Sequence, residues 1–125
     1  MTQFNLTKYI MSLSIMSQKF NEFNTVMRSF ISDLSEVFPE DTAIQSSYET
    51  FDELVRVNYR KPLTMFVENM MPYAEYIANR DETMFLKIEF PGIDFKKLWF
   101  DDTISTNTKN VIWQYISHLL LLTMQ

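Results

Sequence analysis

Between Leu6 and Val37 an apolar or aromatic side chain fills every a and d place of five consecutive heptads. Leu6, Leu13, Phe20, Met27 and Leu34 stand at a, and Tyr9, Met16, Phe23, Phe30 and Val37 at d. Steps of three and four residues mark one face of a helix, whereas a half-buried strand alternates with a period of two. The pattern predicts a helix over Leu6–Val37, capped by Thr2 or Asn5 and ended by Pro39, which disfavours helical backbone at Phe38. Ser17 and Asn24, poor interior helix formers, mark places where it could break. Such a seam serves either a coiled coil or the core of a single-chain bundle. Two-stranded coiled coils prefer Leu, Ile or Val where this seam has Phe20, Phe23 and Phe30, and Ile10, Val26, Ile31 and Phe38 widen the stripe. That width suits a core-facing helix. A homodimer contact is the alternative, sustained by a length above the globular mean.

The same periodicity continues downstream. Ile44, Tyr48, Phe51, Leu54, Val55 and Asn58 predict a second helix from Thr42 to about Asn58, capped by Asp41 or Thr42. Pro62 suits the first turn of a third, with Leu63, Phe66, Val67, Met70 and Met71 on its apolar face. Pro72 then kinks or splits it, and Tyr73, Tyr76 and Ile77 carry the pattern to about Asn79. The stretch 80–103 is less regular. Asp81 and Glu82 open a short helix through Met84, Phe85 and Leu86. Phe90-Pro91-Gly92 reads as a turn, and Asp94 caps another short helix through Phe95, Leu98 and Trp99. Leu86, Ile88 and Phe90 alternate with Lys87 and Glu89, so a short strand competes, although a strand without a partner is poorly supported. A last helix starts near Ser105 or Thr106, with Asn107 and Thr108 as alternative caps. Val111, Ile112, Tyr115, Ile116, Leu119, Leu120 and Leu122 make it apolar over much of its circumference, which places it centrally. The expected architecture is one all-α domain over 1–125: a bundle of four to five main helices with an irregular segment around 80–103.

Composition narrows function by exclusion. A single glycine, Gly92, rules out glycine-rich phosphate loops. The absence of cysteine rules out disulfides, thiolate metal sites and cysteine nucleophiles. Eleven basic residues, scattered against sixteen acidic ones, disfavour direct binding of nucleic acid. The longest purely apolar run, Leu119–Leu122, is far short of the roughly 20 residues of a membrane span. Phe4 to Met16 is apolar but broken by Asn5, Lys8, Ser12 and Ser14, with no basic flank before it. It is therefore not read as a secretory signal, and an intracellular location is expected. Eleven Phe, six Tyr and nine Met imply a core of large, flexible side chains, and Met also suits adaptable binding surfaces.

Few residues suggest chemistry. Glu49, Asp52 and Glu53 share one helix face and have the spacing of a cation or acid–base site. A solvated acidic face, paired with Arg56, is the favoured reading, since the sequence shows neither burial nor a charge partner to separate two pKa values. His118, the sole histidine, has no second ligand nearby in sequence and reads as structural. Asp101 and Asp102 lack calcium-loop spacing and fit a capping loop. No GxSxG or SxxK motif accompanies the serines. No catalytic, cofactor or metal site is assigned. Trp99, Phe100 and Trp113 are the candidate interaction residues, since large aromatics concentrate in binding hot spots, although core packing is the favoured role for such residues.

Phe38-Pro39-Glu40 after a helix, Asp81-Glu82 with Phe85, and Ile112-Trp113-Gln114-Tyr115-Ile116 in a last helix resemble uncharacterised small helical proteins of large nucleocytoplasmic DNA viruses. The taste for Asn, Phe, Tyr, Ile and Met over Gly, Ala and Pro suits an AT-rich genome of that kind. The resemblance implies a viral origin, a place in host cytoplasm or virion, and no catalytic residues. The expected function is non-enzymatic: a protein–protein interaction or structural protein acting through apolar and aromatic helical surface, on a protein partner or on itself. The rivals are an acidic mimic that covers the basic surface of a nucleic-acid-binding protein, and an enzyme with an unfamiliar carboxylate site.

Overall fold

The computed structural model describes residues 6–90 and 92–125. The expected caps Thr2 and Asn5, and Pro91 of the expected turn, lie outside the described residues. The fold is all-α. In chain order it comprises α1 (Leu6–Val37), α2 (Thr42–Val57), α3 (Lys61–Met70), a 3-10 turn (Met71–Tyr73), α4 (Ala74–Ala78), a second 3-10 turn (Glu82–Leu86), α5 (Phe95–Trp99) and α6 (Thr106–Thr123).

α1 is unbroken through Ser17 and Asn24, against the expectation of a possible break there. Short polar side chains harm a helix when they compete for its backbone. Here Ser12, Thr25 and Ser35 donate to carbonyls one turn back, at Lys8, Asn21 and Ile31. Asn24 is buried and spends its amide elsewhere, donating Nδ2 to the Tyr59 carbonyl at 2.9 Å. Pro39 ends the helix where expected. The starts of α2, the second 3-10 turn, α5 and α6 each follow from one side-chain oxygen that accepts an orphan N–H. Asp41 accepts from Ile44, Asp81 from Thr83, Asp94 from Lys97 and Ser105 from Thr108. Pro62 lies in the first turn of α3, and Pro72 turns the chain through a 3-10 segment into α4.

α2 and α6 both run antiparallel to α1. Arg28 of α1 meets Asp52 of α2, and Lys19 and Asp33 of α1 meet the end and the middle of α6. α3 closes the core with Phe66 edge-on to Phe23, ring centroids 5.4 Å apart. The segment 80–103 forms no strand among the described residues. Only Phe90 and Ile93 pair, across the turn, because no neighbouring strand offers a ladder. It is ordered instead by rings. Phe85 stacks on Trp99 at 4.1 Å and meets Trp113 at 5.0 Å and Phe95 at 5.7 Å. Gly92, at φ 81°, supplies the left-handed residue of the turn, and a Cβ there would lie 3.3 Å from that of Ser47.

Candidate interaction surface

The core ends before α1 does. Phe23, Met27, Phe30, Ile31 and Leu34 are buried, and Phe20 is half-buried. Its ring meets Tyr59 edge-on at 5.9 Å, with the Arg60 guanidinium 5.6 Å above it. Tyr59 sits in the link between α2 and α3, so those helices stop at this level. α6 stops there too: Lys19 Nζ donates to the carbonyls of Thr123 at 3.0 Å and Gln125 at 2.7 Å. Hydrogen bonds from Arg60 and then Ser17 hold the Tyr59 hydroxyl below its ordinary pKa.

Beyond this level α1 continues for fourteen residues, Leu6 to Lys19, or about 21 Å at helical rise. Seven large apolar side chains lie on this arm. Leu6, Tyr9, Ile10, Met11, Leu13, Ile15 and Met16 are between 42% and 64% exposed. Leu6, Tyr9, Leu13 and Met16 continue the a/d stripe that faces the core further along, and Ile10 widens it. Met11 and Ile15 stand on the far side. A straight helix drifts only about 20° per heptad from its seam, so the arm's stripe overhangs the end of the bundle. Three more exposed apolar residues mark that end: Val57 at the close of α2, and Leu121 and Met124 at the close of α6. Exposed apolar patches of this extent mark interaction surfaces in folded proteins. Charge is segregated as well. No acidic residue precedes Glu22, so the first 21 residues carry Lys8 and Lys19 only, while the rest carries sixteen acidic and nine basic residues.

Of the three aromatic residues singled out from sequence, two are core. Trp99 and Trp113 are 2% and 4% exposed, 5.4 Å apart in the cluster around Phe85. Trp99 Nε1 donates to Glu82 at 3.0 Å, and Lys109 covers its ring at 5.0 Å. Burial thus withdraws both tryptophans as surface contacts, because the irregular segment needs them to fill its interior. Phe100 remains exposed. The lack of acidic residues before Glu22 was the one signal in the sequence that set the arm apart; its apolar spacing and its serines and threonines are like those of the rest of α1.

The acidic candidates carry little chemistry. Asp52 pairs with Arg28 across α1 and α2 at 2.8 Å, in place of the expected Arg56, and both side chains remain partly exposed. Glu49 and Glu53 are exposed, as is His118. Asp101 accepts from the Thr103 hydroxyl and N–H, which lowers its pKa and makes it a turn cap. The buried polar residues among those described are Asn24 and Ser47, neither of them titratable. Tyr115 is pushed up to about 12, by burial first and then by its hydrogen bond to Asp33, which favours the neutral phenol.

A recess of about 240 Å³ lies between α1, α2 and α3. Met27, Ile31, Phe51, Leu54, Met65 and Met70 line it, with Ser46, Ser47, Thr50, Asn69 and Glu89 among its polar groups. It is apolar and brings no nucleophile to a base. Among the described residues, no group of three or more His, Cys, Asp or Glu side chains is placed to hold a metal ion, and no helix is long and apolar enough to cross a membrane. The chain matches no family model, no curated protein and no solved structure.

Proposed function

We propose that this protein is a non-enzymatic interaction protein that works by seating the arm of α1, residues 6–19, against a protein partner. The observation that carries the reading is the change of environment along one helix. The a/d stripe is buried from Phe23 to Leu34 and exposed from Leu6 to Met16. Water contact on that stripe costs about 25 cal/mol per Å² of apolar surface, and a partner that covers it recovers that free energy. A structural role, including the place in a viral particle that the resemblance implies, is one form of this reading, since a projecting apolar helix is a means of assembly. The mimic reading would need a concentrated acidic face, and Arg28 already neutralises part of one at Asp52. The carboxylate-enzyme reading would need a buried acidic pair, and it finds no support in carboxylates that are exposed or half-exposed.

The test is a photoreactive side chain at Ser14 on the arm, with Gln114 on the outer face of α6 as control. Irradiation in the native source is expected to give protein adducts from position 14 and few from position 114. Equal yields from the two positions would sink the proposal.

A further inference from the structure

We infer that the partner of the arm is a second copy of this chain, paired arm to arm in an antiparallel two-fold. The inference rests on the reading of the arm as an interaction surface and names its occupant. The first argument is shape. The stripe on the arm faces the same side as the core of its own molecule, so arm and bundle end form an inside corner. A flat surface such as a lipid bilayer cannot reach that stripe without meeting the ends of α3 and α6. A second corner of the same shape can. Rotated by 180°, each arm lies along the other and brings its tip toward the partner's bundle end, where Val57, Leu121 and Met124 are exposed. Such an isologous contact closes on itself and stops at two copies.

The second argument is pattern. The stripe keeps heptad spacing through Leu6, Tyr9, Leu13, Met16 and Phe20, the repeat that lets two helices pack along a shared seam. The third is area. Leu6, Tyr9, Ile10, Leu13 and Met16, with Val57, Leu121 and Met124, each expose roughly 100 Å². Complete cover of these side chains on both copies would bury at most about 1,600 Å², within the size range of a specific interface. With no acidic residue before Glu22, the arms hold no ion pairs between themselves, so the pairing rests on apolar burial and tolerates salt.

Sedimentation equilibrium of the whole chain is expected to give twice the chain mass of 15.0 kDa. The double substitution Leu13→Glu with Met16→Glu is expected to return it to one chain, with the near-ultraviolet signal of the buried tryptophans unchanged. Because the chain has no cysteine, single cysteines read the register. Leu13→Cys, near the two-fold, is expected to form a disulfide-linked dimer at least tenfold faster than Leu6→Cys, whose tips lie about 20 Å apart in an antiparallel pair. A one-chain mass at all concentrations would overturn the pairing, as would equal cross-linking at the two positions. Sedimentation of one-chain material with phosphatidylserine vesicles would overturn it in favour of lipid. A one-chain mass together with photo-adducts from Ser14 to a different protein would overturn the pairing and leave the proposed function intact.

Discussion

The two halves of α1 share one pattern and meet two fates. From Phe20 to Leu34 the stripe is walled by α2, α3 and α6, and the polar residues beside it are drawn into specific bonds: Asn24 to the Tyr59 carbonyl, Arg28 to Asp52, Asp33 to Tyr115. From Leu6 to Lys19 the same spacing carries residues just as apolar, and they are exposed. Heptad spacing therefore reports that a face is apolar and says nothing of what covers it. The difference lies outside α1, in where the other helices stop. α2 reaches Val57 and α6 reaches Thr123, and both reach only the level of Lys19 to Asn24.

The largest test of this contrast compares matched truncations in the two halves. Phe30→Ala removes a buried ring packed on Tyr115 at 4.8 Å and is expected to cost about 3–5 kcal/mol in urea unfolding. Leu13→Ala, measured at dilution where copies are separate, is expected to change stability by no more than about 0.5 kcal/mol. Equal costs would mean that the arm is packed within the monomer. Next comes Asn24→Ala, expected to cost about 1–3 kcal/mol because a buried side chain is truncated and the half-buried Tyr59 carbonyl loses its donor. The matching Ser17→Ala, at the arm's root, should cost less.

How far the sequence reached follows the same division. The starts of α2, α5 and α6 were legible because each depends on one local oxygen, and Asp41, Asp94 and Ser105 all cap as expected. Helix ends at Pro39 and Pro72 were legible for the same reason. The choice between strand and turn at Leu86–Phe90 was not, since it turned on whether a distant strand existed to pair with. The buried fate of Trp99 and Trp113 depended on Phe85, fourteen residues before one and twenty-eight before the other. The site was the least legible part. The seam at Leu13 and the seam at Leu34 are alike in sequence, and only how far α2 and α6 reach, to Val57 and Thr123, separates them. No spacing rule records that.

Smaller effects probe the bonds that tie the packed half of α1 to its neighbours. Tyr115→Phe is expected to cost about 1 kcal/mol at neutral pH through loss of the bond to Asp33. It also carries a pH signature. The folded-state pKa of Tyr115 lies above the ordinary value of about 10, so the proton-bound phenol is the favoured form in the fold. That contribution is fully present below pH 10 and is lost as pH rises through about 12. Urea midpoints across this window are expected to fall more steeply for the native chain than for Tyr115→Phe, and parallel curves would contradict the assignment. Smallest is Arg28→Ala, expected to cost at most about 1 kcal/mol and to fade with added salt, as befits a half-exposed ion pair.

Amide hydrogen exchange read along α1 at two protein concentrations tests the central claim most directly. Amides of residues 23–34 are expected to be protected at both concentrations, since their cover belongs to the same molecule. Amides of residues 6–19 are expected to exchange rapidly in dilute solution and to gain at least tenfold protection in concentrated solution, as second copies cover the stripe. Arm protection that is the same at every concentration, whether high or low, would contradict the account.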